Sequence, residues 1–309
     1  MTTLVFGHQS PDTDSTGSPI VWAWYLSEIR GEPAEAVLLG EPNTEAAWVL
    51  ERWGLPKPRI IEDVEPGQSC VILDTNNPAE LPEGIHEARI AAIIDHHRLV
   101  GGLSTALPIE MVLRPLACTA TLLHELMGAE AAARMPEGIR GAMLCCILSD
   151  TLAFRSPTTT DVDRALAEAL AGDLGVEIEP LAAEMFAAKS DVSRFTEAEL
   201  LRMDSKEVEL GPYTFRVSVL ETVSPEAILK RKAALMAAMP KVALEDGVNE
   251  VLLFVVDILR EEATLLVPND LTRAIAAHSF KAEAEGDAVV LPGVMSRKKQ
   301  IIPALAMPA

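Results

Sequence analysis

Short apolar segments that alternate with helical patterns over residues 1–190 constrain the fold of this chain more than any other feature. Leu4–Phe6, Val71–Leu73 and Ile90–Ile94 are brief and continuously apolar, which is typical of strands buried on both faces of a sheet. Between such segments, Ile20–Ile29 and Gly138–Leu148 have the residue spacing of helices. We therefore predict an α/β fold whose larger N-terminal domain is a mostly parallel sheet flanked by helices.

A polar segment that follows the helical pattern of Leu181–Ala187 predicts a boundary between two domains. We place a linker or hinge over residues 189–195, which leaves domains over residues 1–188 and 196–309. In the second domain, strands are expected near Thr214–Leu220 and Val251–Val256, and a helix over Pro225–Met239 has proline in its first turn. This part is predicted to be a smaller α/β domain.

The balance of charge excludes several classes of partner. The chain has 26 Lys and Arg residues against 46 Asp and Glu residues, for a net charge of −20. Residues 1–190 contribute −16 of this charge, and residues 191–309 contribute −4. Because nucleic acids and anionic membrane surfaces both attract basic proteins, we expect neither to be a partner.

Segments that would direct the chain into or across a membrane are not evident in the sequence. The longest apolar runs, Ala142–Leu148 and Val251–Val256, are far shorter than the roughly 18 residues that a spanning helix needs. The first residues lack the pattern of a signal peptide, and the four cysteines form no CxxC motif. We expect a reduced, cytoplasmic protein.

Carboxylates and imidazoles follow several of the predicted buried segments. The first strand leads into Gly7–Ser15, and other strands end at Asp74 and at Asp95-His96-His97. Each residue alone could be a helix cap or a turn residue. Together they meet at the edge of the sheet where α/β proteins bind ligands, and they would repel one another without a cation. The candidate ligands are His8, Asp12, Asp14, Asp74, His96 and Asp150.

The chemistry of these candidates favours a hard or borderline divalent cation. Oxygen ligands with a few imidazoles suit Mn²⁺, Mg²⁺, Fe²⁺ or Co²⁺ better than an ion that prefers thiolates. The candidates outnumber the usual protein ligands of one ion, so two ions that share a carboxylate explain them better. Such a pair can clamp a phosphoryl group for attack by hydroxide. His96 is predicted to bind metal, and His97 is predicted to contact the substrate.

A basic run, Ser296–Gln300, stands out near the end of this acidic chain. Taken alone, Arg297, Lys298 and Lys299 would be a solvated surface. Beside a metal site, the same residues would serve as a clamp for phosphate, with forked donors from the arginine and point charges from the lysines.

Taken together, these motifs resemble the family II, manganese-dependent inorganic pyrophosphatases, a branch of the DHH phosphoesterases. The resemblance runs from residue 4 to about residue 303. It implies a hydrolase of pyrophosphate with its active site in the cleft between the domains, and a homodimer formed through the N-terminal domain. The motifs are Gly7–Asp14, Asp95-His96-His97-Arg98, Ser149-Asp150-Thr151 with Ser156-Pro157-Thr158, and Ser296-Arg297-Lys298-Lys299-Gln300.

The resemblance also implies roles for individual residues. One Mn²⁺ would be held by His8, Asp12, Asp74 and Asp150, and the other by Asp14, Asp74, His96 and Asp150. A hydroxide between the two ions would attack phosphorus, with Asp74 and His97 in catalytic roles. Co²⁺ or Mg²⁺ could replace Mn²⁺, and further Mg²⁺ would enter with the substrate. The residues implied to bind substrate are His97, Lys206, Arg297 and Lys298.

One motif departs from the family pattern. Better-known members have Val-Asp-His-Asn-Glu where this chain has Leu73-Asp74-Thr75-Asn76-Asn77. The metal-binding aspartate is kept, but Thr75 and Asn77 replace histidine and glutamate, which could alter metal preference or affinity.

Two alternative functions stay open at this point. One is a DHH hydrolase of polyphosphate, cyclic dinucleotides or short oligonucleotides, and the other is a non-catalytic metal or phosphate sensor. An aromatic content of 4% speaks against stacked nucleic-acid bases. The intact set of ligands speaks against a sensor that has lost activity.

Overall fold

The computed structural model of this chain describes residues 2–189, 192 and 195–308. The chain divides into two compact units, Met1–Ala188 and Lys189–Ala309. Most of the linker predicted over residues 189–195 lies outside the described residues, namely Ser190, Asp191, Ser193 and Arg194. Lys189 is the last residue of a helix.

The N-terminal unit contains a five-stranded sheet with the order β2-β1-β3-β4-β5. All four neighbouring pairs are parallel, which confirms the prediction from the apolar strands. Strand β3 is buried over most of its length because helices cover the sheet. The strands are β1 (Thr3–Phe6), β2 (Ala34–Ala36), β3 (Ser69–Leu73), β4 (Arg89–Asp95) and β5 (Glu110–Leu113).

The described part of this unit contains six α-helices, of which α1, α3 and α4 begin or end at the candidate site. Helix α1 contacts β1 and packs along α4, and α3 contacts β4. The helices are α1 (Thr13–Trp24), α2 (Thr44–Arg52), α3 (Thr119–Ala132), α4 (Glu137–Asp150), α5 (Asp161–Leu174) and α6 (Ile178–Lys189).

The start of the first helix differs from the prediction. Helix α1 begins at Thr13 and not at Ile20, because the Asp12 side chain caps it by accepting a hydrogen bond from the Ser15 amide. It continues as a π-helical turn over Tyr25–Ile29. The segment Gly7–Ser15, which follows the first strand, is therefore helical from Thr13 onward, and the helical part contains Asp14. Helix α2 begins at Thr44, but its N-cap is Asn43.

The C-terminal unit contains a five-stranded mixed sheet with the order β10-β9-β8-β7-β6. Only the β7–β8 pair is parallel, and the other three pairs are antiparallel. This unit confirms the prediction of a smaller α/β domain. The strands are β6 (Ser205–Leu210), β7 (Tyr213–Thr222), β8 (Glu250–Asp257), β9 (Glu262–Leu266) and β10 (Ala288–Pro292). The helices are α7 (Glu197–Met203), α8 (Pro225–Leu229), α9 (Lys232–Asp246), α10 (Asp270–Phe280) and α11 (Ile302–Ala304).

The helix predicted over Pro225–Met239 is wrong, because two helices, α8 and α9, occupy this region. Arg231 lies at the break with a non-helical backbone. Its guanidinium donates to the Phe195 carbonyl at 2.7 Å and to the Glu197 carboxylate at 2.8 Å. Across the described part of the chain, no helix combines the length and apolar character needed to cross a membrane.

Candidate metal centre

Three neighbouring strands deliver imidazoles and carboxylates to one edge of the N-terminal sheet. His8 follows β1, Asp74 follows β3, and His96 follows β4. The Asp74 Oδ2 atom lies 3.6 Å from His8 Nε2, and the Asp74 Oδ1 atom lies 3.3 Å from His96 Nε2. Asp74 therefore lies between the two histidines and presents one oxygen to each.

The helix ends complete the cluster. Asp12 and Asp14 come from the start of α1, and Asp150 is the last residue of α4. The Asp12 Oδ2 atom lies 3.7 Å from His8 Nε2, and the Asp150 Oδ2 atom lies 3.9 Å from His96 Nε2. All six residues predicted as metal ligands thus lie in one region of the N-terminal unit.

Within this region the ligand atoms form three groups, each with its atoms within 4.8 Å of one another. Asp74 belongs to two groups and so does His96, whereas Asp150 belongs only to the group with Asp14. The sharing of Asp74 is what two adjacent cations would need. A bridging role for Asp150 stays a prediction. The groups are His8, Asp12 and Asp74; Asp14, His96 and Asp150; and Asp74, His96 and His97.

Local backbone geometry aims these side chains. Asp74 has a left-handed backbone with φ 59°, which aspartate tolerates better than most residues do. Thr119 fixes its carboxylate by donating a hydrogen bond from Oγ1 at 3.1 Å. At β1, the His8 amide donates to Ser15 Oγ at 2.7 Å. A side chain on Gly7 would place Cβ 1.9 Å from that oxygen, so the contact requires glycine here.

Asp14 is buried against the start of α3. Its carboxylate accepts hydrogen bonds from the amides of Thr119 at 2.6 Å and Ala120 at 3.2 Å, and from the Ser18 hydroxyl. The N-terminus of a helix stabilises a negative charge, which explains why an acidic residue is tolerated there. Thr119 thus contacts two predicted ligands, and no pattern in the sequence singled it out.

Burial and the repulsion between carboxylates both act on the charges of the cluster. Burial raises the pKa of Asp74 and of Asp150 well above its usual value, and the charges of Asp14 and Asp12 raise both further. Burial lowers the pKa of His8, but the hydrogen bond and charge of Asp12 and the charge of Asp74 raise it to about 9. Among the residues described, no lysine or arginine pairs with Asp74 or Asp150.

The donor set fits a divalent cation. Asp150 Oδ2 is buried, and no residue in the described part of the chain donates a hydrogen bond to it. A buried carboxylate oxygen without a donor is costly unless a cation compensates for it. Carboxylates and imidazoles, without thiolates, are the ligands that Mn²⁺ and similar ions accept.

His97 has a different environment from His96. Its Nδ1 atom lies 2.8 Å from Asp95 Oδ1, and the same oxygen accepts the His97 amide at 2.9 Å. Asn76 donates to the other oxygen of Asp95 at 2.6 Å. Burial alone would raise the pKa of Asp95, but the contacts with His97 and Asn76 lower it, so this carboxylate stays charged. Asp95 and Asn76 were not predicted as site residues, although Asp95 opens the Asp-His-His motif.

The residues that depart from the family motif have their own contacts. Thr75 Oγ1 donates to Glu80 Oε2 at 2.6 Å, and the Asn77 side chain caps the short 3-10 helix Pro78–Glu80. The Glu80 carbonyl accepts the Gln9 amide at 3.0 Å. Thr75 and Asn77 therefore hold Glu80 against the segment that carries His8.

The basic residues predicted to bind substrate lie in the C-terminal unit. Lys206 is on β6, and Arg297 begins a π-helical turn, Arg297–Ile301, that the Ser296 side chain caps. The Arg297 guanidinium donates to the Asp204 carboxylate, and Lys298 is exposed. Their roles toward a substrate stay predictions.

Comparisons with known proteins agree with this arrangement. A model of the DHH family, N-terminal domain, matches residues 2–149, and a model of the DHHA2 domain matches residues 183–307. A Deinococcus radiodurans protein named probable manganese-dependent inorganic pyrophosphatase is 40% identical over 306 residues, covering 97% of this chain and 96% of the relative. A Lactobacillus acidophilus protein of the same name is 36% identical over 304 residues, covering 98% and 97%.

A solved structure agrees as well. The crystal structure of a Methanococcus jannaschii protein assigned to the family II inorganic pyrophosphatases matches with a TM-score of 0.85 and 31% sequence identity. The match covers 98% of each chain. The chain therefore belongs to the DHH family and, within it, to the manganese-dependent, family II inorganic pyrophosphatases.

Proposed function

We propose that this protein hydrolyses inorganic pyrophosphate to two phosphates with the help of Mn²⁺. The observation that carries the proposal is the pair of carboxylates of Asp74 and Asp150, for which the described residues include no lysine or arginine partner. Divalent cations at this place would neutralise both the cluster and the phosphates of a small polyanion. The names of the relatives support pyrophosphate as that polyanion.

The ligands divide between two Mn²⁺ ions per subunit, for which Co²⁺ or Mg²⁺ can substitute. His8, Asp12 and Asp74 hold one ion, and Asp14, His96 and Asp150 hold the other, with Asp74 and Asp150 shared between them. The two oxygens of Asp74, each facing a different histidine, support this division. Bound ions would supply Lewis acidity at this place: they would lower the pKa of a water that attacks phosphorus, and they would neutralise phosphate oxygens.

His97 acts on the leaving phosphate in this proposal. The Asp95 carboxylate, which contacts Nδ1, favours the imidazolium form and fixes the plane of the ring. The imidazolium can then contact the phosphate and protonate it as the bond to the bridging oxygen breaks. This role separates His97 from His96, whose Nδ1 contacts the Leu116 carbonyl and whose Nε2 faces Asp74.

The two domains differ in charge, and we infer from this difference that they have different functions. We propose that residues 1–188 hold the metals, and that residues 196–309 supply a basic clamp through Lys206, Arg297 and Lys298. Arginine forks and lysine point charges stabilise the negative charge that accumulates on both phosphoryl groups. Further Mg²⁺ arrives with the substrate.

The assembly is proposed to be a homodimer formed through the N-terminal unit. Strand β5 is at the edge of its sheet, and Met111 on this strand is exposed. Leu99, Val100 and Leu107, which precede the strand, are also exposed. The molar mass in solution, measured by light scattering, tests this point.

The activity is tested by incubating Mn²⁺-loaded protein with pyrophosphate, polyphosphate, a cyclic dinucleotide and a short oligonucleotide. We expect rapid phosphate release from pyrophosphate, and little product from the other three substrates. Rapid turnover of a nucleotide substrate with none of pyrophosphate would contradict the proposal. Tight Mn²⁺ and pyrophosphate binding without turnover would instead indicate a sensor.

A further inference from the structure

Glu45 is a fully buried carboxylate that lies outside the predicted set of ligands. It is in the first turn of α2 and is 0% exposed. Its Oε1 atom accepts a hydrogen bond from Thr13 Oγ1 at 2.6 Å and another from Ser149 Oγ. Burial of a carboxylate is costly, and two hydroxyl donors on one oxygen offset part of that cost.

The two donors are placed beside the predicted ligands. Thr13 lies between Asp12 and Asp14 at the start of α1, and Ser149 directly precedes Asp150 at the end of α4. A single oxygen of Glu45 thus connects the two helix ends that supply three of the predicted ligands.

The same two helices are in close contact farther along. A Cβ atom on Gly17 would lie 2.4 Å from Cys146 Sγ, so α1 approaches α4 as closely as a glycine allows. Cys146 Sγ also donates to the Thr13 carbonyl at 3.3 Å. The helices are therefore fixed along this contact. At the ligand end, a carboxylate oxygen of Asp14 and one of Asp150 lie within 4.8 Å of each other, a distance at which two negative charges repel.

We propose that Glu45 is a positioning residue that holds Asp14 and Asp150 at the separation a cation requires. Through Thr13 and Ser149 it opposes the repulsion between the two carboxylates, so the site is formed before the ion binds. Ligands that are held in place bind a metal more tightly than ligands that must first be ordered. This inference rests on the proposed function only in taking Asp14 and Asp150 as metal ligands.

The test is the affinity and stoichiometry of Mn²⁺, measured on the full chain by competition with a chelating dye. Glu45→Ala, Ser149→Ala and Thr13→Val each remove part of the connection, and Glu45→Ala is expected to weaken Mn²⁺ binding by about 10- to 100-fold. Glu45→Gln keeps an oxygen that can accept both hydroxyls, and it is expected to restore most of the affinity. The electron paramagnetic resonance spectrum of bound Mn²⁺ reports whether the ion environment changes.

Thr121→Val is the matched control. Thr121 is also fully buried and donates its hydroxyl at 2.7 Å to a buried carboxylate, that of Asp163, which is not a predicted ligand. We expect this variant to lose stability to a similar degree as Thr13→Val while Mn²⁺ affinity stays at the wild-type level.

Two outcomes overturn the proposal. One is wild-type Mn²⁺ affinity in folded Glu45→Ala. The other, if Glu45→Ala does not fold, is wild-type affinity in both Ser149→Ala and Thr13→Val. Phosphate release from pyrophosphate is measured separately, so weakened Mn²⁺ binding in a protein that hydrolyses no pyrophosphate would refute the proposed function and leave this inference standing.

Discussion

Asp74 and Asp150 in the N-terminal unit and Asp246 in the C-terminal unit have opposite electrostatic surroundings. In the N-terminal unit, burial and neighbouring carboxylates raise the pKa of Asp74 and Asp150. In the C-terminal unit, burial also acts to raise the pKa of Asp246, but the hydrogen bond from Arg202 and the charge of Arg216 outweigh it and lower that pKa. Asp246 thus has guanidinium partners within its own unit, whereas Asp74 and Asp150 have no lysine or arginine partner among the described residues. The proposed cation would supply positive charge beside these two carboxylates.

The geometry around Asp246 explains its role. Arg202 on α7 donates from Nη2 to Asp246 Oδ1 at 2.7 Å, and Arg216 on β7 contacts Asp246 Oδ2 through Nε, also at 2.7 Å. Asp246 is the last residue of α9, so these contacts join two helices and a strand. The protein supplies both charges of this group itself.

The largest expected effect comes from Asp74→Asn, which removes one charge and keeps the shape. Asp74 faces both His8 and His96, so its loss should affect both ions. We expect Mn²⁺ affinity and pyrophosphatase activity each to fall by more than about 100-fold, which exceeds the usual effect of losing a residue that only supports a metal ligand. Metal analysis and phosphate release measure the two effects. Asp246→Asn is the control, and it should keep its Mn²⁺. Equal metal loss in both variants would show that the charge of Asp74 has no special part in binding the metal.

Removal of metal is expected to destabilise the folded protein, because the cluster of the N-terminal unit then loses its bound cations. An ion present at a hundredfold excess over its dissociation constant stabilises the folded state by about 2.7 kcal/mol. Chelation should therefore lower the thermal unfolding temperature of the wild-type protein. The Asp74→Asn variant should respond much less, because it has little metal to lose. An unfolding temperature in the wild type that is insensitive to chelation would contradict a cation requirement.

The contribution of Asp246 to the free energy of unfolding should depend on pH in the opposite way from that of carboxylates that repel one another. Since the folded-state pKa of Asp246 is lowered, its stabilisation is present above the usual value of about 3.9 and is lost as pH falls through the lower folded value. Asp246→Asn is expected to cost about 2 kcal/mol in the free energy of unfolding at pH 7. Urea unfolding at several pH values should show this cost shrinking below about pH 4. A cost that is constant across this range would exclude a charge effect.

The sequence predicted the centre of the site better than its surroundings. His8, Asp74 and His96 could be predicted because each follows a short apolar strand, and the ends of parallel strands meet at one edge. The start of α1 could not be predicted, because the first turn of this helix is polar. It is stabilised by contacts with residues distant in sequence, such as those between Asp14 and α3. Glu45 was missed for a similar reason, since glutamate is rarely buried unless partners that the sequence does not reveal surround it.

The residues that distinguish this chain from the family motif should have the smallest effect. Thr75 is 2% exposed and donates to Glu80, and its oxygen also accepts the Asn77 amide at 3.1 Å. Thr75→Val keeps the volume but leaves the Glu80 carboxylate without this donor, beside the segment that carries His8. We expect Mn²⁺ affinity to fall about tenfold, the lower end for loss of a residue that supports a ligand.

Thr75→Ser separates the hydroxyl from the shape of the side chain, because it keeps the donor to Glu80 and loses only a methyl group. It should bind Mn²⁺ almost as tightly as the wild type in the same chelator competition. If Thr75→Val and Thr75→Ser weaken binding equally, packing and not the hydrogen bond is responsible. In that case the hydrogen bond from Thr75 to Glu80 would not contribute to Mn²⁺ affinity. The residues around the metal ligands would then differ from the partners of Asp246, whose contacts do stabilise the carboxylate that they surround.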